Sequence, residues 1–378
     1  MTKLIKVLVV DDSAYNRKAI SSMLESSNLI EVIDTAMDGE DAIKKLIKLQ
    51  PDMVTLDLEM PRMDGFTFLR WVMSNRPLPI LIVSSKGSKD NVFQAMELGA
   101  VDFLVKPTSE ISEEIKNLKD ELINKVIGVA GLNMEKIISR VGRAGILPAY
   151  RGRSLQGQDT EEMHMRESDP YNSLLSQPII DKRIDMVAIG ASTGGPTAIE
   201  RIISDLPKDL PVPVAIAQHM PSGFTKMFAD RLAKSSTIEV KEAEDGDLVR
   251  EGLVLICPGD AHMTFQRERE KERNEDIKRV VLKKRSPTDK YLPSVDIMME
   301  SSAKIFGSKT LGIILTGMGN DGTQGMKAIK ENNGQTIAES EETSIIFGMP
   351  GEAIKAGVVD KVVPLYSIVK EIIRRCKL

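Results

Sequence analysis

The chain has 378 residues, of which 42% are hydrophobic and 28% are charged, so its composition is globular and excludes wholesale disorder. At roughly 100–200 residues per domain, this length predicts two domains. The 51 Lys and Arg residues nearly balance the 55 Asp and Glu residues, which gives a formal net charge of −4. Overall charge therefore gives no reason to expect a nucleic-acid partner.

Cysteine content and hydropathy indicate the compartment. Cys257 and Cys376 are too few for a disulfide framework or a four-cysteine zinc site, which is typical of a reduced, cytoplasmic protein. The apolar run in MTKLIKVLVVDDS ends in two aspartates and is too short for a signal peptide. No later stretch reaches the ~18 apolar residues of a spanning helix. We expect a cytoplasmic monomer without direct membrane insertion.

From Lys6 to about Lys106, apolar segments of strand length alternate with amphipathic helical segments, the pattern of a parallel sheet covered by helices. The predicted strands are Val7–Val10, Glu31–Ala36, Met53–Leu56, Ile80–Ser84 and Phe103–Val105. The predicted helices are Ala14–Glu25, Gly39–Lys48, Gly65–Ser74, Asp90–Leu98 and Glu110–Ile127. These elements predict a doubly wound, flavodoxin-like α/β domain over residues 1–125.

Residues 140–182 are rich in Gly, Pro, Ser and charges of both signs, which favours a flexible tether over a nucleic-acid-binding tail. We place the linker at 126–182. A second α/β pattern then predicts a mostly parallel, Rossmann-like domain over 183–378. Its predicted strands are Ile184–Ile189, Val212–Ala217, Leu253–Cys257, Leu311–Leu315 and Gln335–Ala338. Its predicted helices are Thr197–Ser204, Gly223–Lys234, Gly322–Glu331 and Tyr366–Arg375.

The charged segment Gln266–Lys290 lies between two apolar stretches, His262–Phe265 and Arg279–Leu282. This pattern predicts the tip of an exposed hairpin. A solvated loop is the simpler interpretation of the segment, and a docking surface is the alternative.

Polar residues follow four strands of the first domain: Asp11 and Asp12, Asp57, Ser84 and Lys106. Ligands of open parallel sheets bind at the carboxyl ends of the strands. Three converging carboxylates repel one another unless a divalent cation lies among them, and oxygen ligands suit Mg²⁺. The sequence therefore predicts a Mg²⁺ site at which Asp57 attacks a phosphoryl group. Lys106 neutralises charge there, and Ser84 donates to a phosphoryl oxygen.

With the stretches VVDDS, LDLEMPRMDG and VDFLVKP, residues 5–125 resemble a response-regulator receiver domain. The resemblance implies that a histidine kinase phosphorylates Asp57 and that Asp11 and Asp12 help to hold Mg²⁺. It also implies a switch in which Ser84 and the ring of Phe103 report phosphorylation to the surface. A plain core position explains Phe103 equally well.

Gly190-Ala191-Ser192-Thr193-Gly194 matches G-x-S-x-G directly after an apolar strand and before a helix that Pro196 opens. Small residues allow a sharp turn that exposes the serine Oγ, and the helix N-terminus stabilises a developing anion. A phosphate-binding glycine loop competes, but the spacing does not fit G-x-G-x-x-G. Ser192 is therefore a candidate nucleophile.

A serine nucleophile needs a base. His219 follows the strand VAIAQ, next to the strand that precedes Ser192, and is the favoured base. His262, in PGDAHM, is the alternative, and His164 lies in the linker.

The third member is expected at another strand end. Asp321, in LTGMGNDG, meets that condition, and the backbone N–H of Met318 is a candidate oxyanion donor. Asp296 is the weaker candidate, because PSVDIMMES is typical of a helix start, where an aspartate commonly caps. The order Ser, His, Asp argues against an ordinary α/β-hydrolase.

The stretches IGASTGGP, AQHMPSGFT, CPGDAHM, PSVDIMMES and ILTGMGNDG resemble the chemotaxis protein-glutamate methylesterases, the CheB family. The resemblance implies a triad of Ser192, His219 and Asp321, with Thr193 and Met318 beside the oxyanion and no cofactor for the esterase. It implies phosphorylation-activated hydrolysis of γ-glutamyl methyl esters on methyl-accepting chemoreceptors, with methanol release and receptor glutamine deamidation. The phosphodonor would be the chemotaxis histidine kinase, and the unphosphorylated receiver would cover the catalytic cleft.

Two other functions stay open. A receiver joined to a non-enzymatic adaptor would bind receptors or kinase without using Ser192. A receiver-linked transcription factor has less support, because the second half lacks a helix-turn-helix pattern and its basic residues are matched by acids.

Overall fold

The computed structural model describes residues 3–84, 89–106, 112–132, 134–135, 137, 183–270 and 275–376. The chain divides into two compact units, Met1–Glu162 and Met163–Leu378. Most of the predicted linker 126–182 lies outside the described residues, so the domain limits at 125 and 182 stay predictions. No helix in the described part of the chain is long and apolar enough to cross a membrane.

The first unit is a parallel five-stranded sheet in the order β2-β1-β3-β4-β5. Its strands are β1 Ile5–Val10, β2 Ile30–Ala36, β3 Met53–Leu56, β4 Ile80–Ser84 and β5 Asp102–Val105. Its helices are α1 Ala14–Glu25, α2 Gly39–Leu49, α3 Gly65–Asn75, α4 Lys89–Glu97 and α5 Ser112–Val129. The predicted flavodoxin-like fold is confirmed, because this is the doubly wound order with its switch point between β1 and β3.

The central strands of this sheet are apolar because helices cover both faces. Met53–Leu56 and Ile80–Ser84 are buried along their whole length. Because β1 and β3 are neighbours, the polar residues that follow them lie at one edge of the sheet.

The second unit is built on a parallel seven-stranded sheet in the order β14-β13-β12-β6-β7-β9-β8. Its strands are β6 Met186–Ala191, β7 Val214–Gln218, β8 Glu239–Glu242, β9 Leu253–Ile256, β12 Thr310–Ile314, β13 Gln335–Glu339 and β14 Lys361–Val363. Its helices are α6 Gly195–Ser204, α7 Phe224–Ser235, α8 Val295–Phe306, α9 Thr323–Glu331, α10 Met349–Lys355 and α11 Leu365–Cys376. The predicted mostly parallel α/β fold is confirmed.

Sequence reasoning missed three short elements of this unit. β8 and β14 are edge strands of four and three residues, too short for a clear hydrophobic period. Helix α10 has seven residues, and Pro350 and Gly351 within it signal a turn more than a helix.

The prediction that Gln266–Lys290 forms only a hairpin tip is wrong in extent. Strands β10 Ala261–Glu270 and β11 Glu275–Lys284 pair antiparallel, so most of the charged segment is strand. Opposite charges across the hairpin support this pairing, as in the 3.2 Å contact between Arg279 Nε and Glu268 Oε2. Charge density alone therefore does not indicate a loop here.

Candidate active site and candidate phosphorylation site

Ser192 lies in the tight turn between β6 and α6. Its N–H donates to Thr316 O at 3.1 Å, and Gly195 N–H returns to Ser192 O at 2.8 Å. Gly194 has φ +77°, a left-handed conformation that favours glycine. The turn leaves Ser192 partly exposed at the N-terminus of α6, where the helix dipole favours negative charge.

His219 and Asp321 are in direct contact. Nε2 of His219 lies 2.7 Å from Oδ2 of Asp321, whose side chain is 1% exposed. The backbone N–H of His219 donates to the backbone carbonyl of Ala191 at 3.1 Å, so the histidine lies beside the Ser192 turn. With Nε2 facing the carboxylate, Nδ1 is the ring nitrogen left to accept a proton.

Tyr291 covers the ring of His219. The two ring centroids are 4.9 Å apart with an interplanar angle of 9°, which is a stacked pair. Tyr291 therefore restricts the orientation of the imidazole from one face.

The carboxylate of Asp321 lies at the N-terminus of α8 and is surrounded by donors. Besides His219, the donors are Val295 N (2.8 Å), Asp296 N (2.9 Å), Gly322 N (3.1 Å) and Ser294 Oγ (3.1 Å). Burial raises the pKa of Asp321, but the bond and the charge of His219 and these backbone donors outweigh burial, so the pKa is lowered. Asp321 is thus held as an anion that orients His219.

Asp296 has a different partner from the one expected. The sequence suggests that it caps its own helix, but the N-cap of α8 is Ser294. Oδ1 of Asp296 accepts from Gly325 N at 2.8 Å, in the first turn of α9. Burial and the neighbouring charge of Asp321 raise the pKa of Asp296 to about 6, although backbone donors oppose them. Asp321 and Asp296 therefore connect the starts of two packed helices.

His262, the alternative base, is 2% exposed and has both ring nitrogens engaged. Nδ1 accepts from Ser294 N at 3.1 Å, and Nε2 lies 3.0 Å from Asp289 Oδ2. Because Ser294 in turn contacts Asp321, His262 supports the acid of the site and has no nitrogen left to act as base.

The loop after β12 approaches Ser192 closely. A Cβ on Gly317 would lie 2.8 Å from Ser192 Cβ, so only glycine fits. The next residue is Met318, whose N–H donates to no acceptor in the described part of the chain. Thr316 Oγ1 donates to Thr193 O at 2.9 Å and fixes this loop to the Ser192 turn. Met318 N–H is thus available to an oxyanion.

Within the described residues, Ser192 Oγ and the His219 ring make no direct hydrogen bond. Such bonds are often long in unliganded sites and tighten with substrate. The roles of Ser192, His219, Asp321, Thr193 and Met318 stay predictions, and the structure brings these residues to one edge of the sheet.

The candidate phosphorylation site lies at the carboxyl edge of the five-stranded sheet. Oxygen atoms of Asp11, Asp12 and Asp57 lie within 4.8 Å of one another. Lys106 Nζ lies 2.7 Å from Asp11 Oδ2 and 2.5 Å from Asp57 Oδ2. Ser84 Oγ is buried and has no hydrogen-bond partner among the described residues.

The charges of this site depend on one another. Burial raises the pKa of Asp57, and the lowering effect of Lys106 does not fully compensate. Burial lowers the pKa of Lys106, but hydrogen bonds to Asp11 and Asp57 reverse this and raise it. Phe103 is 4% exposed, which fits a core residue, and its role in a switch stays a prediction.

Sequence reasoning missed Gln218, Tyr291 and Thr316. Gln218 stands inside the quoted stretch AQHMPSGFT, but one glutamine at a strand end carries no chemical signal. Tyr291 reaches His219 from the loop before α8, and no local pattern indicates that contact.

Two family models match the chain. The response regulator receiver domain matches residues 7–117, and CheB methylesterase matches residues 187–372. The chain is therefore a response regulator with a methylesterase-class domain.

Relatives cover nearly the full length. Protein-glutamate methylesterase/protein-glutamine glutaminase 3 of Geobacter sulfurreducens is 49% identical over 374 residues, covering 99% of this chain and 98% of that protein. The protein-glutamate methylesterase/protein-glutamine glutaminase of Halalkalibacterium halodurans is 43% identical and covers 100% of both chains. The crystal structure of the Thermotoga maritima CheB methylesterase catalytic domain is 42% identical and covers 51% of this chain and 99% of that chain, with a TM-score of 0.48. The chain belongs to the protein-glutamate methylesterase/protein-glutamine glutaminase family, which confirms the predicted resemblance.

Proposed function

We propose that this protein is a phosphorylation-activated methylesterase that hydrolyses γ-glutamyl methyl esters on chemoreceptors and also deamidates receptor glutamines. The observation that carries the proposal is the 2.7 Å contact between His219 and Asp321, which lie in the loops after the two strands that flank β6. We place the receiver domain at residues 1–125 and the catalytic domain at 183–378.

In the first half of the reaction, His219 removes the proton of Ser192 as Oγ attacks the ester carbonyl. Asp321 holds the imidazole and stabilises its positive charge. The N–H of Met318 and the N-terminus of α6 stabilise the oxyanion. His219 then protonates the leaving oxygen, methanol departs, and a glutamyl ester remains on Ser192.

In the second half, water attacks this ester with His219 as base, which releases the receptor glutamate and restores Ser192. Deamidation follows the same course with ammonia as the leaving group. The esterase reaction uses only side chains and backbone N–H groups of this site and the attacking water.

The receiver domain controls this activity through Asp57. Asp11, Asp12 and Asp57 would hold Mg²⁺, which suits their all-oxygen donor set and supplies charge neutralisation for phosphoryl transfer. Ser84 Oγ, buried without a partner in the described residues, is suited to donate to a phosphoryl oxygen. Lys106 contacts the carboxylates of Asp11 and Asp57 and would also contact the phosphoryl group. Phe103 lies on β5, directly before this edge, and is the proposed aromatic reporter.

The partners follow from these two sites. A chemotaxis histidine kinase supplies the phosphoryl group, and methyl-accepting chemoreceptors supply the esters. Both encounters take place on the cytoplasmic side of the membrane.

The test is methanol release from methylated receptor with Mg²⁺, with and without a small-molecule phosphodonor. We expect donor-stimulated release by the intact chain and none by Ser192→Ala. If Asp57 is phosphorylated and methanol is still not released, the chain is an adaptor and the proposal is wrong.

A further inference from the structure

The side chain of Gln218 lies between the residues proposed as nucleophile and base. Gln218 is the last residue of β7, directly before His219, and is 2% exposed. Its Nε2 donates to the backbone carbonyl of Ser192 at 2.9 Å and to that of His219 at 3.1 Å. A primary amide has two N–H bonds, so both are used on these two carbonyls.

Gln218 connects the two strands at the point where their backbone pairing ends. The pairing of β6 with β7 reaches Ala191 opposite Gln218, and His219 N adds one bond to Ala191 O. Beyond that bond, the chain after β6 turns into α6. The amide of Gln218 is therefore the contact that ties the Ser192 carbonyl to β7.

The surroundings of the amide fix its orientation. Two carbonyl oxygens next to one amide atom require a donor there, because the reversed amide would bring three oxygens together. The other atom, Oε1, faces α6, where a Cβ on Gly195 would overlap it. Gln218 therefore occupies the space in which a side chain at position 195 would lie.

The two polar atoms of the Gln218 amide differ in how they are used. Oε1 is buried and has no hydrogen-bond partner in the described part of the chain. A buried acceptor without a partner is unfavourable, and an apolar side chain of similar shape would avoid that cost but would also remove both donors from the carbonyls of Ser192 and His219. The amide of Gln218 therefore has an acceptor without a partner, but its two donors bind the backbone carbonyls of Ser192 and His219.

We propose that Gln218 is a positioning residue for ester hydrolysis, because its two hydrogen bonds set the separation between Ser192 and His219. The inference rests on the proposed function, which makes these residues nucleophile and base. A displacement of ~1 Å between reacting groups lowers a rate about a hundredfold.

The first test is Gln218→Met in the full-length chain, since methionine keeps the approximate shape and removes both donors. We expect kcat for methanol release from methylated receptor to fall about ten- to a hundredfold, with KM within about twofold of the original. Gln335→Met is the matched control, because Gln335 is equally buried, accepts from Arg375 and lies at the opposite end of the sheet, at the start of β13. This control should keep the original kcat.

The second test is the pH dependence of Gln218→Glu. A protonated glutamic acid has one O–H donor, and a carboxylate has none and repels both carbonyls. We expect the ratio of kcat between Gln218→Glu and Gln218→Met to rise as the pH falls from about 8 to about 6. A ratio independent of pH contradicts the role of the donor.

Two further outcomes would overturn the inference: a Gln218→Met chain with the original kcat, or an equal loss of kcat in Gln335→Met. Ser192→Ala in the same assay distinguishes a failure of the proposed function from a failure of the positioning role. If Ser192→Ala stays active, the proposed function itself is wrong. If Ser192→Ala is inactive and Gln218→Met is fully active, only the positioning role is wrong.

Discussion

The two domains each place carboxylates at the carboxyl ends of parallel strands, but the two groups of acids have different partners. Asp321 accepts from one side-chain nitrogen, one hydroxyl and three backbone N–H groups, so its charge is stabilised by donors of its own domain. In the receiver domain, Asp11 and Asp57 share Lys106, and Ser84 Oγ has no partner among the described residues.

The difference indicates that folding alone assembles the site around Asp321, whereas a ligand completes the site around Asp57. Donors already in place cost no reorganisation during reaction, which suits the stabilisation of a transition state. Acids that repel one another lose that repulsion when a cation and a phosphoryl group bind, and this suits a switch.

Removal of the nucleophile has the largest effect. We expect Ser192→Ala to lower methanol release at least about a hundred-thousandfold, to the residual catalysis of the remaining groups. Phosphorylation of Asp57 should be unchanged, because that chemistry belongs to the receiver domain. Radiolabel transfer from a phosphodonor measures it in the same preparation. Retained methanol release would rule out Ser192 as nucleophile.

Asp321→Asn removes the negative charge from the site that folding assembles. An amide keeps the shape but loses the charge that stabilises the imidazolium, and it can hold the imidazole in the wrong tautomer. We expect kcat to fall about a thousand- to ten-thousandfold. Asp296→Asn is the control, because Asp296 lies in the same helix pair and does not contact His219. Similar losses in both variants would assign Asp321 a merely structural role.

Asp57→Asn breaks the site that a ligand completes. We expect stimulation by a phosphodonor to disappear, because an amide cannot form the acyl phosphate. Basal methanol release should persist, since the Ser192, His219 and Asp321 side chains are untouched. The stimulation ratio with and without donor, at constant Mg²⁺, is the measurement. A persistent ratio above one would place the phosphorylated residue elsewhere.

Much of both sites was predictable because strand ends can be read locally. Ser192 directly follows an apolar run, His219 comes one residue after another, and Asp57 follows Met53–Leu56. The contact of His219 with Asp321 depends on strand order, because β7 and β12 both flank β6. The periodicity of a single segment carries no information on that order.

Residues that reach the site by long-range packing could not be predicted in this way. His262 looks like a spare base in the sequence, but its burial and its bonds to Ser294 and Asp289 make it a support. The hydrophobic pattern around Tyr291 does not show that its ring stacks on His219.

Tyr291 offers a milder test of the preassembled site. We expect Tyr291→Leu to lower kcat about two- to tenfold, since a stacked aromatic pair contributes about 0.5–1.5 kcal/mol beyond its burial. Tyr291→Phe keeps the ring and should keep most of the activity. If the phenylalanine variant loses as much as the leucine variant, the hydroxyl and not the stacking is what matters.

The smallest expected effect on activity concerns Asp296, whose pKa is raised to about 6 by burial and the charge of Asp321, whereas that of Asp321 is lowered. A raised pKa means that ionisation is less favourable in the folded chain than in the unfolded one, so stability is lost as the pH rises through about 6. Asparagine removes this charge and still accepts from Gly325 N. We therefore expect Asp296→Asn to stabilise the chain near pH 7.5 by on the order of 1 to 3 kcal/mol, and by much less near pH 4.5.

The measurement is the thermal midpoint of both full-length chains at the two pH values. A stability difference that is the same at both would mean that Asp296 is not destabilised by its charge. In that case the charge of Asp321 would not act on Asp296. The donors around Asp321 would then neutralise its effect more completely than the packing of the two helix starts indicates.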